Sequence, residues 1–431
     1  MKKRVKSILL IFILFFLLLP LLQQNLSLFA FDPLYGYYNL RDKPQLKWFT
    51  WERWFSDKFQ DTLSKSLQDH VVFRELLIRL NNQYKLNLFD ETDMKNIVVG
   101  KENYLFEEGY ILEYLGRNFT GKTYIDEKLR RTKWVQDYLK REKNIDLIIV
   151  FEPGRASFFP EFIPERYQPQ HKTLSNYQYY AQRCKGLDIH NLDLNAYFLS
   201  MKTTSPFPLY PKYGVHWSTY GMTLAMDTLI HYIENTRNID MPEVICNNII
   251  SSTEYSDIDW DIEKSMNLLY KLPQSEAMAH LEITFNNDAH KTKPDILTIG
   301  DSYCWSIFNA EIPHHLYKNT DYWYYNHTIY PNYWDATKCV EQLNLKEEIE
   351  KRDVLLIMIT ELNMHNAFWG FTDQLYNLYC RKDATNSFYH TKRLLISADK
   401  DLTNTRKEAE AHQISVEQIL NLSTLKEMTK K

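Results

Sequence analysis

The chain has 431 residues, and its 51 Lys and Arg nearly balance its 55 Asp and Glu, which leaves a net charge of −4. This charge does not favour a polyanionic partner, so nucleic-acid binding is not expected. A hydrophobic content of 44% excludes a wholly disordered chain, and the length allows two or three domains. Aromatic residues make up 15% of the sequence. Such enrichment is typical of sugar or lipid surfaces, although a general bias toward tyrosine gives the same count.

The N-terminus carries a membrane-targeting pattern, in which four basic residues at positions 2–6 precede an apolar run at residues 8–22. The run is short for a spanning helix and fits the core of a signal peptide. Because no small-residue cleavage site follows, we predict that residues 1–31 are an uncleaved signal anchor in the cytoplasmic membrane. The body of the protein then lies in the periplasm or another extracytoplasmic space. A cleaved signal peptide is the alternative, and it exports the same body.

The next segments are predicted to be a linker and then a helical layer. Residues 32–48 hold prolines, a glycine and three tyrosines and are predicted to form an extended linker. From residue 49 to about 88, apolar residues recur at spacings of three and four, which predicts helices. Two short β runs broken by a turn are predicted at residues 97–106, and a helix is predicted through residues 129–139.

Three later segments share a polar first residue and an apolar run, at residues 146–150, 295–299 and 353–359. Such runs are typical of parallel strands that are covered by helices on both faces. Helical patterns lie between them, at residues 177–184, 219–234 and 337–350. We therefore predict an α/β fold, a three-layer sandwich around a mainly parallel sheet.

This domain is predicted to span residues 49–395. Within it, residues 235–290 are polar and poorly periodic, and we interpret them as an irregular insertion over one edge of the sheet. Residues 396–431 form a charged, helical C-terminal tail, in which residues 399–431 are predicted to be a solvated terminal helix pair. The five cysteines are too widely spread for a C-x-x-C spacing, so we expect scattered structural thiols, no metal site and no cofactor.

A candidate nucleophile follows the apolar strand that ends at residue 299. The sequence continues as Gly300-Asp301-Ser302-Tyr303, and a helical pattern begins at Cys304. A serine at a strand-to-helix turn has an exposed hydroxyl, and the N–H groups of the turn can face a developing oxyanion. Ser302 is therefore a candidate nucleophile. The alternative is that Asp301 or Ser302 only caps the helix.

A candidate base lies in a second turn, at residues 213–221, just before a predicted helix. His216 in this turn could reach a neighbouring strand end. A neutral imidazole is the usual base for a serine hydroxyl, because its pKa of about 6.5 lets it take and return a proton at neutral pH. The alternative is a structural histidine packed by Trp217.

Together these blocks resemble the SGNH-hydrolase-like proteins of the alginate O-acetyltransferase J/X family, exported bacterial enzymes that move acetyl groups onto polysaccharide hydroxyls. Four blocks match in order, and the resemblance covers roughly residues 50–365. The family motifs are a D-x-F-x-x-R-like block, V-V-G-K-x-x-W-L-F, D-x-H-W-[ST]-x-x-G and G-D-S-[FY], and they correspond to residues 69–74, 98–106, 216–221 and 300–303. The order of His before Ser is itself a mark of the family.

The resemblance implies that Ser302 is the acetyl-carrying nucleophile and that His216 is its base. We further predict that Tyr303, Arg155 and Trp217 contact the substrate or an oxyanion. Arg155 stands where the family usually has a lysine.

One position departs from the family pattern. The family has the acid of its triad two residues before the histidine, and this chain has Gly214 there; the ordinary SGNH spacing of three gives Tyr213. Loss of the acid costs orientation of the imidazole. We predict that Glu361, just beyond the strand that ends at residue 359, takes its place. Asp193, Glu152 and a Ser-His dyad oriented by a backbone carbonyl are the alternatives.

The sequence therefore predicts an exported O-acetyltransferase acting on a cell-envelope or secreted polysaccharide. The resemblance implies that a multispanning membrane acyltransferase supplies the acetyl group. A carbohydrate O-acetyl esterase would use the same residues with water as acceptor. A degenerate paralogue that only binds glycans is the non-enzymatic alternative, and Gly214 favours it.

Overall fold

The computed structural model of the chain describes residues 2–36, 50–55, 59–61, 64, 72–167, 172–274, 276–286, 288–330, 339–380, 394–396, 398–399, 402–412 and 414–428. Its strands are β1 (Ile97–Val99), β2 (Leu105–Glu107), β3 (Asp146–Glu152), β4 (Asn191–Asp193), β5 (Glu243–Ser252), β6 (Met278–Asn286), β7 (Ile296–Gly300), β8 (Tyr322–Tyr324), β9 (Thr328–Tyr330) and β10 (Val354–Thr360).

Its α-helices are α1 (Lys2–Leu26), α2 (Trp51–Trp54), α3 (Arg74–Phe89), α4 (Glu108–Tyr114), α5 (Lys122–Lys143), α6 (Arg155–Phe158), α7 (Asn176–Gly186), α8 (Leu194–Met201), α9 (Thr219–Arg237), α10 (Asp261–Met266), α11 (Cys304–Asn309), α12 (Ile312–Leu316), α13 (Leu345–Glu350), α14 (Phe371–Tyr379), α15 (Thr403–His412) and α16 (Val416–Met428). Short 3₁₀ helices lie at Lys101–Asn103, Pro160–Phe162, Glu165–Tyr167, Asp257–Trp260, Val340–Gln342, Glu361–Asn366 and Phe368–Gly370.

The chain divides into two units. The smaller unit joins Met1–Lys95 to the distant segment Asp261–Pro273. Within it the buried Asn82 of α3 donates a hydrogen bond to the carbonyl of Met266 at 2.7 Å. Asn267 accepts from the backbone N–H of Tyr35 at 2.7 Å, so the segment after α10 is part of this unit.

The N-terminal predictions are met in part. Helices α2 and α3 confirm helical structure after residue 49, whereas residues 37–48 of the predicted linker and residues 69–71 of the first family-like block lie outside the described residues. Helix α1 occupies the targeting segment. No helix in the described part of the chain has the length and apolar character that a membrane crossing requires. The signal anchor stays a prediction.

The larger unit, Asn96–Trp260 with Gln274–Lys431, is built on a six-stranded mixed sheet of order β4-β3-β10-β7-β8-β9. Neighbouring strands from β4 to β8 are parallel, and β9 is antiparallel to β8. The three apolar segments become the central strands β3, β10 and β7, in which every residue is buried. The mainly parallel sheet is thus confirmed. Its parallel strands end at one edge, where sites form in such folds.

Helices α5, α7 and α14 pack together beside this sheet, and their apolar side chains share one core with the central strands. An ion pair between Lys128 of α5 and Asp373 of α14 is buried within this contact. Arg131 of α5 lies 3.3 Å from the same carboxylate. Two cations around one buried carboxylate satisfy its oxygens in a place where an unpaired charge would be costly.

Two expectations for the larger unit are wrong. Residues 235–290 are not irregular, because β5 and β6 form an antiparallel pair that packs against α9. Nearly every residue of β5 is exposed, so the alternation that marks a half-buried strand is missing from its sequence.

The C-terminal helices α15 and α16 confirm the predicted pair, but this pair is not solvated. Leu402, Ile419 and Leu420 are buried and belong to the main core. The apolar positions are few and are separated by charged side chains that face solvent, so the sequence does not reveal the packed stripe.

Candidate active site

The structure brings Ser302 and His216 together at the edge where the parallel strands end. Ser302 lies in the turn between β7 and α11, and His216 lies in the loop before α9. The distance between His216 Nε2 and Ser302 Oγ is 3.1 Å, and both side chains are partly exposed. An imidazole nitrogen at this distance can accept the hydroxyl proton.

Gly300 is required where the nucleophile turn leaves β7. A Cβ at this position would lie 2.4 Å from Cys304 Sγ and 3.2 Å from the carbonyl oxygen of Met358. The turn can therefore approach α11 and β10 this closely only without a side chain at residue 300.

The carboxylate of Asp301 holds this turn to the end of β10. Asp301 Oδ2 accepts hydrogen bonds from the N–H of Thr360 at 2.9 Å, from its hydroxyl at 2.7 Å and from Asn363 Nδ2 at 2.8 Å. Asp301 Oδ1 accepts from the N–H of Tyr303 at 3.2 Å. We did not single out Thr360 and Asn363 from the sequence. The sequence signal that could have identified them is their position just after the apolar run at residues 353–359.

The buried side chain of Tyr303 contacts the loop that carries His216 and is not open to a substrate. Its side chain is fully buried, and its hydroxyl donates to the carbonyl of Val215 at 2.8 Å and lies 3.1 Å from the hydroxyl of Tyr210. The rings of Tyr303 and His216 are in edge contact, with centroids 4.9 Å apart. The predicted substrate or oxyanion role of Tyr303 is therefore wrong for its side chain.

Arg155 is also buried and positions the same loop. Its guanidinium donates to the carbonyl oxygens of Leu105 at 2.5 Å, Pro211 at 2.6 Å and Lys212 at 2.6 Å. These contacts join strand β2 to the chain that leads to His216. The predicted substrate or oxyanion contact of Arg155 is not met, because the side chain is turned into the protein.

Trp217 shows the same outcome. It is fully buried, its indole N–H donates to Ser306 Oγ at 2.7 Å, and its ring packs against Tyr303 and Phe198. Contrary to prediction, Trp217 is not open to a substrate. It fixes the residue after His216 to helix α11.

The side chain of Glu361 forms its hydrogen bonds with residues other than His216, which argues against its predicted role as the triad acid. Both of its carboxylate oxygens accept from Ser157 Oγ at 2.7 Å, and Asn195 Nδ2 donates to one of them. Burial raises the pKa of Glu361 to about 7. The carboxylate thus anchors the start of α6 and of α8, and its hydrogen bonds do not reach His216.

The other two candidate acids, Asp193 and Glu152, are the last residues of β4 and β3. Asp193 accepts from the hydroxyl of Tyr177 at 2.9 Å and from the N–H of Ala196 at 2.9 Å, so it caps α8. Glu152 is buried at the end of β3, where burial and the neighbouring Asp301 carboxylate raise its pKa well above its usual range. Among the described residues, neither carboxylate hydrogen-bonds to His216.

A cluster of aromatic rings lies beside the nucleophile turn. Trp305, three residues after Ser302, is in edge contact with Tyr324 at 5.3 Å and with Tyr330 at 5.4 Å between ring centroids. All three side chains are partly exposed. Partly exposed aromatic rings offer apolar faces with polar tips, which suit the faces and hydroxyls of sugar rings.

The comparison with known families adds to this geometry. A family model described as "SGNH hydrolase-like domain, acetyltransferase AlgX" matches residues 97–309. Residues 97–309 belong to this family. The AlgX-type domain so defined contains both Ser302 and His216, and it covers β1 through α11.

Solved structures with similarity to the chain include two O-acetyltransferase-related proteins from Pseudomonas. The O-acetyltransferase domain of Pseudomonas putida AlgJ is 14% identical, with a TM-score of 0.42, over 66% of this chain and 99% of that one. Pseudomonas aeruginosa AlgX is 14% identical, with a TM-score of 0.43, over 67% of this chain and 69% of that one. Bacillus cereus PatB1 is 12% identical, with a TM-score of 0.32, over 56% and 90%. No curated protein sequence matches the chain.

Proposed function

We propose that the chain is an exported O-acetyltransferase that transfers acetyl groups to hydroxyls of a cell-envelope or secreted polysaccharide. The observation that carries this proposal is the 3.1 Å contact between His216 Nε2 and Ser302 Oγ at the edge where the strands end. The AlgX-type domain supports acyl transfer as the class of reaction. The aromatic rings around Trp305 support a sugar as the acceptor.

In the proposed first half-reaction, Ser302 Oγ attacks the carbonyl carbon of an acetyl ester while His216 Nε2 takes the hydroxyl proton. The bond from the acetyl carbon to the donor oxygen then breaks, and His216 returns the proton to that oxygen. The product is acetyl-Ser302. The backbone N–H of Ser302 makes no hydrogen bond among the described residues and is available to stabilise the oxyanion.

In the second half-reaction, His216 takes the proton of an acceptor hydroxyl, and that oxygen attacks the acetyl carbon. The bond to Ser302 Oγ breaks, and the serine regains its proton from His216. None of the three candidate carboxylates has a described hydrogen bond to His216: Glu361 and Asp193 bind other side chains, and Glu152 is buried at the end of β3. We further propose, from the family resemblance, that a multispanning membrane acyltransferase supplies the donor and that residues 1–31 direct export.

The first prediction concerns the nucleophile. The purified full chain should hydrolyse 4-nitrophenyl acetate slowly and form acetyl-Ser302, which adds an acetyl mass to the peptide that contains residue 302. Ser302→Ala should lose both signals, and His216→Ala should slow acylation by roughly 10²- to 10⁴-fold, the range of a lost general base.

The matched controls are Ser200→Ala and His231→Ala, both exposed side chains on helices outside the site. Both controls should keep the parent rate. Equal rates in Ser302→Ala and the parent would remove Ser302 from the mechanism. An oligosaccharide acceptor should accelerate release of nitrophenol and become acetylated. Hydrolysis that the oligosaccharide does not accelerate, with no acetylated oligosaccharide formed, would indicate an esterase instead.

A further inference from the structure

Three metal-ligating side chains lie together in a separate place, beside the turn that links β8 and β9. They are His327 in that turn and Cys339 and Glu341 at the 3₁₀ helix Val340–Gln342. Their ligand atoms all lie within 4.8 Å of one another, and His327 Nδ1 is 3.2 Å from Glu341 Oε1. The sequence did not suggest a metal site, because a single cysteine and a single histidine form none of the short ligand pairs that mark such sites.

Backbone contacts hold the two segments in register. The N–H of Val340 donates to the carbonyl of His327 at 2.8 Å, and Thr328 forms an antiparallel bridge with Cys339. The main chains on both sides of the cluster are thus paired. This pairing places the three side chains on neighbouring backbone segments.

The donor set is one imidazole nitrogen, one thiol sulfur and one carboxylate oxygen, which suits Zn²⁺ and similar divalent transition metals better than Mg²⁺ or Ca²⁺. A tetrahedral Zn²⁺ with bonds of about 2.0–2.3 Å holds its ligand atoms about 3.3–3.6 Å apart. The distances in the cluster are compatible with this spacing after small changes in side-chain torsion angles.

We propose that His327, Cys339 and Glu341 bind a divalent transition-metal ion of the zinc class, with water as the fourth ligand. Binding replaces the thiol proton of Cys339 by the metal ion, and the proton leaves to solvent.

The site would brace the structure next to the nucleophile turn. Tyr325, two residues before His327, donates its N–H to the carbonyl of Gly300 at 2.9 Å. The same hairpin is therefore joined to the end of β7 on one side and to Cys339 on the other. A bound ion would therefore restrain the position of this hairpin and would not contact the reacting atoms.

The test uses the full chain, stripped of metal with a chelator and titrated with Co²⁺ alone, which reports thiolate ligation through a charge-transfer band in the near ultraviolet. One equivalent of Co²⁺ should produce the band, and Zn²⁺ should displace it. Cys339→Ser should lose the band. His327→Ala and Glu341→Gln should weaken binding by roughly tenfold or more, at least the loss that a changed outer-shell partner causes.

Two control variants match the cluster in type. His231→Ala removes an exposed histidine that lies 3.7 Å from a carboxylate oxygen of Asp227, and Cys246→Ser removes an exposed cysteine. Both should leave the titration unchanged. Absence of saturable binding by the parent, or a band that survives Cys339→Ser, would overturn the proposal. If Cys339→Ser does not fold, the circular dichroism spectrum shows it, and an unchanged titration of Glu341→Gln and His327→Ala would overturn the proposal as well.

Discussion

Three buried side chains around His216 hold the loop that carries this histidine. Tyr303 holds the carbonyl of residue 215, Trp217 is tied to helix α11, and Arg155 holds the carbonyls of residues 211 and 212. The loop is thereby fixed on both sides of the histidine. The packing of the loop therefore contributes to the orientation of the imidazole, on which base catalysis depends.

At the scale of residues, the sequence identified which residues lie near the nucleophile turn but not the directions of their side chains. Ser302 and His216 were predictable because a G-D-S turn and an H-W turn both precede helices, where a short side chain projects from the backbone. Tyr303, Arg155 and Trp217 stand in or near the same blocks, yet they are buried. Direction depends on which face of the turn packs against α11 and β2, and that contact is long-range.

The second prediction concerns Gly214. This residue is buried and is not among the described glycines with positive φ, so its backbone suits an L-amino acid. An aspartate two residues before His216 could accept from the imidazole and stabilise the imidazolium. Gly214→Asp should raise kcat for acetyl-ester cleavage by about tenfold or more, since loss of the acid from a complete triad costs far more than this.

Gly214→Asn is the matched control, because it has the same size and no charge. Steady-state kinetics of both variants give the comparison. A gain shared equally by Asp and Asn would show that charge is not the cause, and a fall in both would show that the buried position does not accept a side chain.

At the scale of elements, the site depends on the contact between β7 and β10. These strands are parallel neighbours, with Ile299 opposite Ile357. Asp301, just after β7, accepts hydrogen bonds from Thr360, the last residue of β10, and from Asn363 beyond it. Strand pairing thus brings the nucleophile turn against a ready set of donors. Removal of one donor leaves the buried carboxylate of Asp301 with one hydrogen bond fewer, which costs free energy.

The third prediction tests this link. Thr360→Val keeps the shape of the side chain and removes the hydroxyl that donates to Asp301 at 2.7 Å. The free energy of unfolding should fall by about 1–3 kcal/mol, and kcat should fall with little change in KM, because the turn and not the binding surface is loosened.

Thr236→Val is the control for this variant. Its hydroxyl donates to a helix carbonyl, that of Tyr232, at 2.7 Å, and it lies far in sequence from β7 and β10. Urea unfolding and steady-state kinetics measure both variants. An equal loss of kcat in the control would mean that the Asp301 link has no special part in catalysis.

Elements were predictable where burial leaves a mark in the sequence. Strands β3, β7 and β10 are buried throughout and appear as apolar runs, and α5, α7 and α9 appear as periodic segments. The β5–β6 pair left no such mark, because nearly every residue of β5 is exposed. The packing of α15 and α16 was missed because a narrow apolar stripe lies among charged residues.

At the scale of the whole molecule, buried carboxyl groups make stability depend on pH. Burial raises the pKa of Glu361 to about 7 and that of Glu113 to about 8. In the unfolded chain both groups lose their protons near pH 4.3. Between these values the native state holds protons that the unfolded state has released, so stability decreases as pH rises.

The fourth prediction follows from this sign. The free energy of unfolding should fall from pH 5 to pH 8, and Glu361→Gln, which cannot ionise, should reduce the slope between pH 5 and pH 7. Urea titrations at unit pH intervals give the profile. Glu282→Gln, at an exposed position on β6, is the control and should leave the slope unchanged. A rise in stability with pH would contradict the assignment of these groups as buried acids.

The order of strands in the main sheet has a consequence for the folding pathway. β10 is the last of the six strands along the chain, yet it lies in the middle of the sheet, between β3 and β7. A chain that has grown only to residue 353 carries Ser302 and His216 but has two strand groups, β4-β3 and β7-β8-β9, with no strand to join them. Closure of the sheet must await contacts that are distant in sequence, which slows folding. We therefore expect the contact between His216 and Ser302 to form late in folding, when β10 inserts and its last residue, Thr360, reaches Asp301.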